Sequence, residues 1–158
     1  MIKANFVTAR EAAAMVKDGD TVCTVGMTLV SASESILKAL EKDFIETGHP
    51  CGMTLLHSCG QSDRKDGIQH FAHEGMIKRI IGSHWGLQPR WMEMIAGNQV
   101  EAYCLPQGQI AQLYHSMACG LPGKMSKVGL GTFIDPRYEG GKMNDRTKPL
   151  EDIIDIME

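Results

Sequence analysis

Val100-Glu-Ala-Tyr-Cys-Leu-Pro-Gln-Gly108 is the stretch that decides how this chain is read. Val100, Ala102, Tyr103, Cys104 and Leu105 are apolar or favour extended backbone, which suits a buried strand. Pro106 has no amide hydrogen and ends that strand's ladder, and Gly108 is expected to let the backbone turn. Gln107 is then delivered to the carboxyl end of the strand. In an open parallel sheet ligands bind at that end, because the loops and first helical turns beyond it converge on one crevice. On the residues alone the amide of Gln107 is read first as a hydrogen bond within the turn itself, with contact to a substrate oxygen as the alternative.

Working outward, strand and helix signals alternate. Upstream, Thr8-Ala-Arg-Glu11 matches a capping box and predicts a helix through Val16 that Gly19 closes. Residues 20–26 are short and β-branched and predict a first strand. Ser31 or Ser33 is placed to cap a second helix, whose Ile36, Leu37, Leu40 and Phe44 recur at helical spacing before Gly48 and Pro50. Residues 53–58 predict a strand, 60–67 a loop, 68–74 a short helix and 76–81 a further strand. Pro89 suits a helix start, giving a helix to Ala96, and residues 109–117 form the helix after the quoted strand. Downstream, residues 127–134 look strand-like but contain Gly129 and Gly131, which implies a bulge or a close backbone approach. Residues 135–148 are polar without an element of their own, so they are expected to be functional or to contact something else. Residues 150–157 fit helix or strand equally. With no internal repeat, low-complexity tract or linker, residues 1–158 are expected to form a single α/β domain: an open, mainly parallel sheet flanked by helices.

Composition removes several functions. A net charge of −3 supplies no basic field, so neither nucleic acid nor an anionic membrane is an expected partner. The 5 cysteines are odd in number and never spaced C-x-x-C, which points to a reducing compartment. Residues 1–10 lack a signal-peptide core and no run has the length of a membrane span, so a soluble, cytoplasmic protein is expected.

The chemistry-bearing residues give weak signatures one by one. Gly26 ends the first strand where phosphate loops occur, but G-M-T-L-V is neither G-x-G-x-x-G nor a P-loop; a tight turn is the simpler account. His70 and His73 share H-F-A-H without an acidic residue at ligand spacing, so a structural or surface role is expected and no metal. The 11 methionines suit adaptable core packing, or a forgiving wall for an acyl chain. Ser58 and Ser83 lack the nucleophile-elbow context, and nothing beside Cys104 in sequence would activate its thiol. Read alone, these residues reach an α/β ligand-binding domain without an assigned reaction.

Taken in order, however, a set of short segments resembles the N-terminal part of the family I coenzyme A transferases, in the acetate/3-oxoacid and propionate CoA-transferase branch. The segments are Thr8-Ala-Arg-Glu-Ala-Ala13, Asp18-Gly-Asp-Thr-Val22, Glu46-Thr-Gly-His-Pro50, His73-Glu-Gly75, Gly82-Ser-His-Trp-Gly86, Glu101-Ala-Tyr-Cys-Leu-Pro-Gln-Gly108, Val128-Gly-Leu-Gly-Thr-Phe133, Asp135-Pro-Arg137 and Glu139-Gly-Gly-Lys142. The resemblance implies an enzyme moving CoA between an acyl-CoA and a free carboxylic acid, in short-chain fatty acid and ketone body metabolism, through a glutamyl-CoA intermediate. It implies coenzyme A as substrate, no permanently bound cofactor, and a homo-oligomer. By the same resemblance Gln107 and Gly26 support the oxyanion and acyl pocket, and Met27, Thr28, Gly108, Gly131 and Thr132 are expected to bind substrate. Met27, Thr28 and Leu29 stand where the family usually has further glycines, which implies a differently shaped acyl pocket. The family's nucleophilic glutamate lies in a C-terminal half, and neither Glu74 nor Glu139 fits its context. The chain is therefore expected to be an N-terminal portion or small subunit, inactive until a C-terminal half or second subunit completes it. The other reading is a non-catalytic module sensing an acyl-CoA or a sugar phosphate on a related fold.

Overall fold

The β-branched and aliphatic runs become β1 (Thr21–Thr24), β2 (Met53–His57), β3 (Ile77–Gly82) and β4 (Glu101–Cys104) in the computed structural model, which describes residues 4–157. All pair in parallel, in the spatial order β1-β2-β3-β4. Helix α1 (Ala9–Ala13) precedes the sheet, α2 (Glu34–Thr47) joins β1 to β2, and a 3-10 turn (Gly67–Phe71) lies between β2 and β3. Helix α3 (Pro89–Ala96) joins β3 to β4, and α4 (Gln107–Ala118) comes after β4.

A parallel sheet whose spatial order equals its chain order has a consequence: right-handed crossovers put every connection on the same face. Val22, Leu55, Ile80 and Ala102 stand in register across that face. They meet Leu37 and Leu40 of α2, Phe71 of the 3-10 turn and Trp91 of α3 in one core. Trp91 is fully buried and donates its indole N–H to the Ile68 carbonyl at 2.9 Å, so its polar atom is satisfied inside the core. Cys23, Leu56, Ile81 and Tyr103 form the corresponding row on the opposite face. There Leu56 and Tyr103 are buried while Cys23 is exposed, so cover on this face is thinner at β1.

Local signals explain most boundaries. The capping box forms, with Glu11 N–H to Thr8 Oγ1 at 3.2 Å and Thr8 N–H to Glu11 Oε2 at 2.7 Å. Ser33 occupies the start of α2 but makes no side-chain cap bond, and Ser31 sits upstream with φ 64°. Gly48 ends α2 in the left-handed conformation.

Four expectations are corrected. Gly108 makes no turn: Pro106, with φ −60° and ψ 131°, takes the chain from strand to helix, and Gly108 lies in the first turn of α4. The short helix expected at 68–74 is the 3-10 turn, which ends at Phe71. Residues 127–134 form no strand, because Gly129 and Gly131 adopt φ 98° and 74°, which reverse the chain in successive turns. Residues 150–157 are neither helix nor strand.

The polar segment 135–148 does contact something: the free edge of β4. Cys104 N–H donates to Gly141 O at 2.8 Å and Met143 N–H to Ala102 O at 2.9 Å, an antiparallel bridge centred on Tyr103 and Lys142. The edge strand's outward groups are thereby paired. Asp135 organises this segment. Its buried carboxylate accepts from Gly131 N–H at 2.8 Å and from Arg137 Nη2 at 2.6 Å, and that guanidinium holds the Asp135 carboxyl well below the usual carboxylate range.

Gly82, at the end of β3, is a packing requirement of the sheet. A Cβ there would lie 2.3 Å from Nε2 of His57, which is itself fully buried. Gly82→Ala is expected to destabilise the protein by about 1–3 kcal/mol through overpacking. Gly108→Ala, in helix with nothing within 4 Å of the new Cβ, should be neutral or stabilising by up to about 1 kcal/mol. Urea unfolding of the two variants checks both, and equal midpoints would contradict the assignment of Gly82.

Candidate functional site

Four parallel strands end at one edge of the sheet, and the loops that leave them are locked to one another there. After β1, Gly26 turns with φ 138°; a Cβ on it would sit 2.6 Å from Val30 O, so only glycine fits. Met27 and Val30 then close a tight hairpin, with Met27 N–H to Val30 O at 3.2 Å and Val30 N–H to Met27 O at 2.9 Å. Thr28, at φ 53°, and Ser31, at φ 64°, hold left-handed conformations uncommon for residues with a side chain. The hairpin leans over the next loop, where Thr28 N–H donates to Gly60 O at 2.9 Å.

The remaining loops continue the interlock. Gln61 donates Nε2–H to Thr24 O at 2.7 Å, and Ser83 donates its hydroxyl to Ser58 O at 2.5 Å. Leu105 N–H reaches Gly82 O at 2.9 Å, joining the β4 exit to β3. Helix α4 runs back towards β1, and its Tyr114 hydroxyl donates to Thr24 O at 3.2 Å.

Gln107 is the first residue of α4 and is exposed at the carboxyl end of β4. The turn before it is closed by backbone groups, Gln109 N–H and Ile110 N–H both donating to Pro106 O, so the side chain of Gln107 is not needed to hold it. Gly108, also exposed, adjoins it. Gly26, Met27 and Thr28 belong to the same edge but to its other margin, three strand spacings or about 14 Å away. Gly131 and Thr132 lie in the turn organised by Asp135, and their donors are engaged internally: Gly131 N–H with Asp135, and the Thr132 hydroxyl with Gly129 O at 2.7 Å. The two glutamates that do not fit a nucleophile's context are exposed and lie elsewhere: Glu74 beside Gly75, whose carbonyl meets Gly52 just ahead of β2 at the amino edge, and Glu139 in the segment that covers β4.

His57 is the buried titratable group of this edge. Its Nδ1 donates to Cys59 O at 2.8 Å, which leaves Nε2 as an acceptor with no partner, facing Gly82. Burial lowers its pKa to about 4, outweighing the bond to Cys59, so the ring is neutral near pH 7. Burial also pushes the Cys104 thiol up, which disfavours a thiolate nucleophile.

Sequence spacing missed one cluster because its members come from two elements. His70 is buried, with Nδ1 on Glu41 and Nε2 on Glu34 at 2.7 Å, and His73 Nε2 meets Glu41 at 2.7 Å. These bonds fasten the 3-10 turn to α2. Glu34, Asp66 and His70 present donor atoms close enough for a metal, but Lys38 already contacts both carboxylates, at 3.1 and 3.3 Å. Asp18, His49 and Cys51 are a second such group, at the opposite edge of the sheet.

Comparison with known proteins places these features in context. The family profile described as coenzyme A transferase matches residues 6–156. Caffeate CoA-transferase of Acetobacterium woodii is 38% identical over 98% of this chain and 29% of its own length. Acetate CoA-transferase YdiF of Escherichia coli K12 is 36% identical over 96% of this chain and 29% of its own length. The crystal structure of the acyl-CoA transferase YdiF apoenzyme from Escherichia coli O157:H7 superposes with a TM-score of 0.88 at 35% identity, covering 96% of this chain and 30% of that one. A YdiF thioester complex with CoA superposes equally well, at a TM-score of 0.88. The chain thus spans about 30% of the length of these relatives.

The neutral, buried state of His57 fixes a pH response. An unfolded chain takes up this proton near pH 6.5, whereas the folded protein resists until about 4. Stability from this group is therefore full above about pH 6.5, falls between about 6.5 and 4, and levels off below, a loss of about 3 kcal/mol. Urea unfolding across pH 4–7 should show that loss in the native sequence and not in His57→Leu. Parallel pH profiles for the two would contradict it.

Proposed function

The chain belongs to the coenzyme A transferase family, and from that premise we propose that it is the N-terminal domain of an acyl-CoA:carboxylate CoA-transferase. In this reading residues 1–158 are one domain, and a further segment or second subunit completes the site and carries the nucleophilic glutamate. Coenzyme A is a substrate, exchanged between an acyl-CoA and a free carboxylic acid, without a resident cofactor. The complete enzyme works in the cytoplasm as a homo-oligomer; among the described residues no helix is long and apolar enough to cross a membrane.

The glutamate oxygen adds to the thioester carbonyl and the CoA thiolate leaves, giving an acyl-glutamyl anhydride. The thiolate then attacks the glutamyl carbonyl, releasing the first acid as carboxylate and leaving a glutamyl-CoA thioester. The acceptor acid reverses these steps. Each addition places negative charge on a carbonyl oxygen, and a fixed neutral donor lowers that barrier without having to give up a proton. Gln107 has the right chemistry: its amide donates, carries no charge, and is exposed where a strand gives way to a helix. Gln109 and Ile110 N–H already bond Pro106 O, so the amides of Gln107 and Gly108, which precede the first intrahelical bonds, are the donors that the start of α4 adds. Gly108 lies beside the carbonyl, and the Gly26 hairpin, with Met27 and Thr28, lines the substrate site from the other margin of the edge, about 14 Å away. Gly131 and Thr132 act through the shape of their turn, since their own donors are engaged within it.

The observation that carries this reading is Gln107 at the start of α4, on the carboxyl edge of the sheet, in a chain that matches the family over residues 6–156. In the full-length enzyme, Gln107→Ala should lower kcat for transfer from acetyl-CoA to propionate by about 10²–10³-fold with an unchanged unfolding midpoint. A kcat within threefold of the native enzyme would remove Gln107 from the site.

A further inference from the structure

Two loops enter the sheet side by side at its amino edge, and they bring together three side chains that the transferase chemistry leaves without a part. Asp18 stands just ahead of β1; His49 and Cys51 stand just ahead of β2, the parallel neighbour of β1. One donor atom from each lies within 4.8 Å of the other two. Asp18 Oδ2 is 2.7 Å from His49 Nδ1, and that nitrogen is 4.0 Å from Cys51 Sγ. An oxygen, a nitrogen and a sulfur donor therefore converge.

Backbone bonds hold the arrangement in place. Cys51 N–H donates to Asp18 Oδ1 at 2.8 Å and Gly19 N–H to Cys51 O at 3.0 Å, which ties the two loops together. Thr54 N–H on Asp20 O at 2.9 Å and Gly52 N–H on Gly75 O at 2.8 Å anchor them to the sheet, and His49 N–H donates to Thr47 Oγ1 at 3.1 Å. These bonds explain the position of the carboxylate, but none of them uses the Cys51 sulfur. Among the described residues its polar contact is the His49 ring.

Charge and access also favour a cation here. Among the described residues no lysine or arginine pairs with Asp18: its ion pair is with His49, and the amine of adjacent Lys17 is turned to Ala14 O at 2.7 Å. The Glu34, Asp66 and His70 group differs, because Lys38 already occupies both of its carboxylates. Asp18 and His49 are exposed and line, with Asp43, an open groove of about 550 Å³ between α1 and α2.

We propose that Asp18, His49 and Cys51 form a zinc site. Zn²⁺ binds such oxygen, nitrogen and sulfur donors at about 2.0–2.3 Å in a tetrahedron, which sets the donors about 3.3–3.6 Å apart. The 2.7 Å pair opens and the 4.0 Å pair closes to reach that spacing, movements that the exposed Asp18 and His49 side chains can make. On binding, the Cys51 thiol gives its proton to water, and the proton of the neutral His49 ring resides on Nε2, so that Nδ1 presents its lone pair. Carboxylate and thiolate balance the two charges of the ion, and water fills the fourth position. Mg²⁺ and Ca²⁺, which take oxygen donors, are excluded by the imidazole and the sulfur. The ion clasps the loop ahead of β1 to the loop ahead of β2, at the end of the sheet opposite Gln107.

The test uses the full-length protein, stripped of metal by a chelator and titrated with Zn²⁺ by calorimetry and with Co²⁺ by absorption. One Zn²⁺ per chain should bind that is lost, or weakened at least about a hundredfold, in Cys51→Ser and independently in Asp18→Asn. Asp18→Asn keeps an acceptor for the Cys51 amide, and the metal-free unfolding midpoints show that the variants are folded. Co²⁺ should give a near-ultraviolet thiolate-to-metal band that Cys51→Ser reduces, and Zn²⁺ should raise the unfolding midpoint of the native protein more than that of Cys51→Ser. Mg²⁺ should do neither. Zn²⁺ bound with the same stoichiometry and affinity by the native protein and both variants, or a thiolate band unchanged by Cys51→Ser, would overturn the site.

Discussion

Right-handed crossover between parallel strands is the constraint on which the rest of this structure depends. Because β1 to β4 lie side by side in chain order, each connection must return over the same face. That face becomes the core, with Leu55 and Ile80 buried beneath Leu40, Phe71 and Trp91. The same constraint brings all four carboxyl ends to one edge in sequence. The hairpin after β1, the loops after β2 and β3 and the start of α4 then form a continuous rim of interlocked backbone bonds.

The opposite face and the outer edge of β4 need cover of their own. Arg79 spans part of the face, donating to Glu101 at 2.7 Å and lying 5.5 Å from the centre of the Tyr103 ring. The segment after residue 133 closes the β4 edge because Gly141 approaches Cys104 O so closely that a Cβ would lie 2.6 Å from it. Asp135 makes that approach possible by holding the preceding turn with both carboxylate oxygens. Fold and site are therefore coupled through β4, whose inner edge bonds the sheet, whose outer edge bonds this segment, and whose end presents Gln107.

The four strands and the start of α3 were legible in the sequence because their signals are local: β-branched runs, and Pro89 at a helix start. The resemblance carried by the ordered motifs located the family, and Gln107 came from a strand, a proline and an amide in a row. Other features were hidden for identifiable reasons. The strand-like run at 127–134 satisfies β-propensity, but the left-handed backbone of Gly129 and Gly131 is a choice that glycine permits without announcing it. Gly108 invited the reading of a turn that Pro106 performs. The network of His70 and His73 with Glu34 and Glu41 joins residues about thirty positions apart, a pairing that only the packing of α2 on the 3-10 turn creates. The need for glycine at position 82 is visible only once His57 is seen facing it across the sheet.

Chemically, the edge combines the exposed amide of Gln107 at one margin with an apolar hairpin at the other. The central claim is that acyl-CoA engages this edge of the sheet and not the amino edge, where Asp18, His49 and Cys51 cluster. Hydrogen–deuterium exchange of the full-length protein, with and without butyryl-CoA, measures this directly. Added ligand should slow exchange in residues 25–33 and 105–110 and leave residues 47–53 and 73–77 unchanged. Protection confined to 47–53 and 73–77, with the carboxyl edge unaffected, would contradict the account.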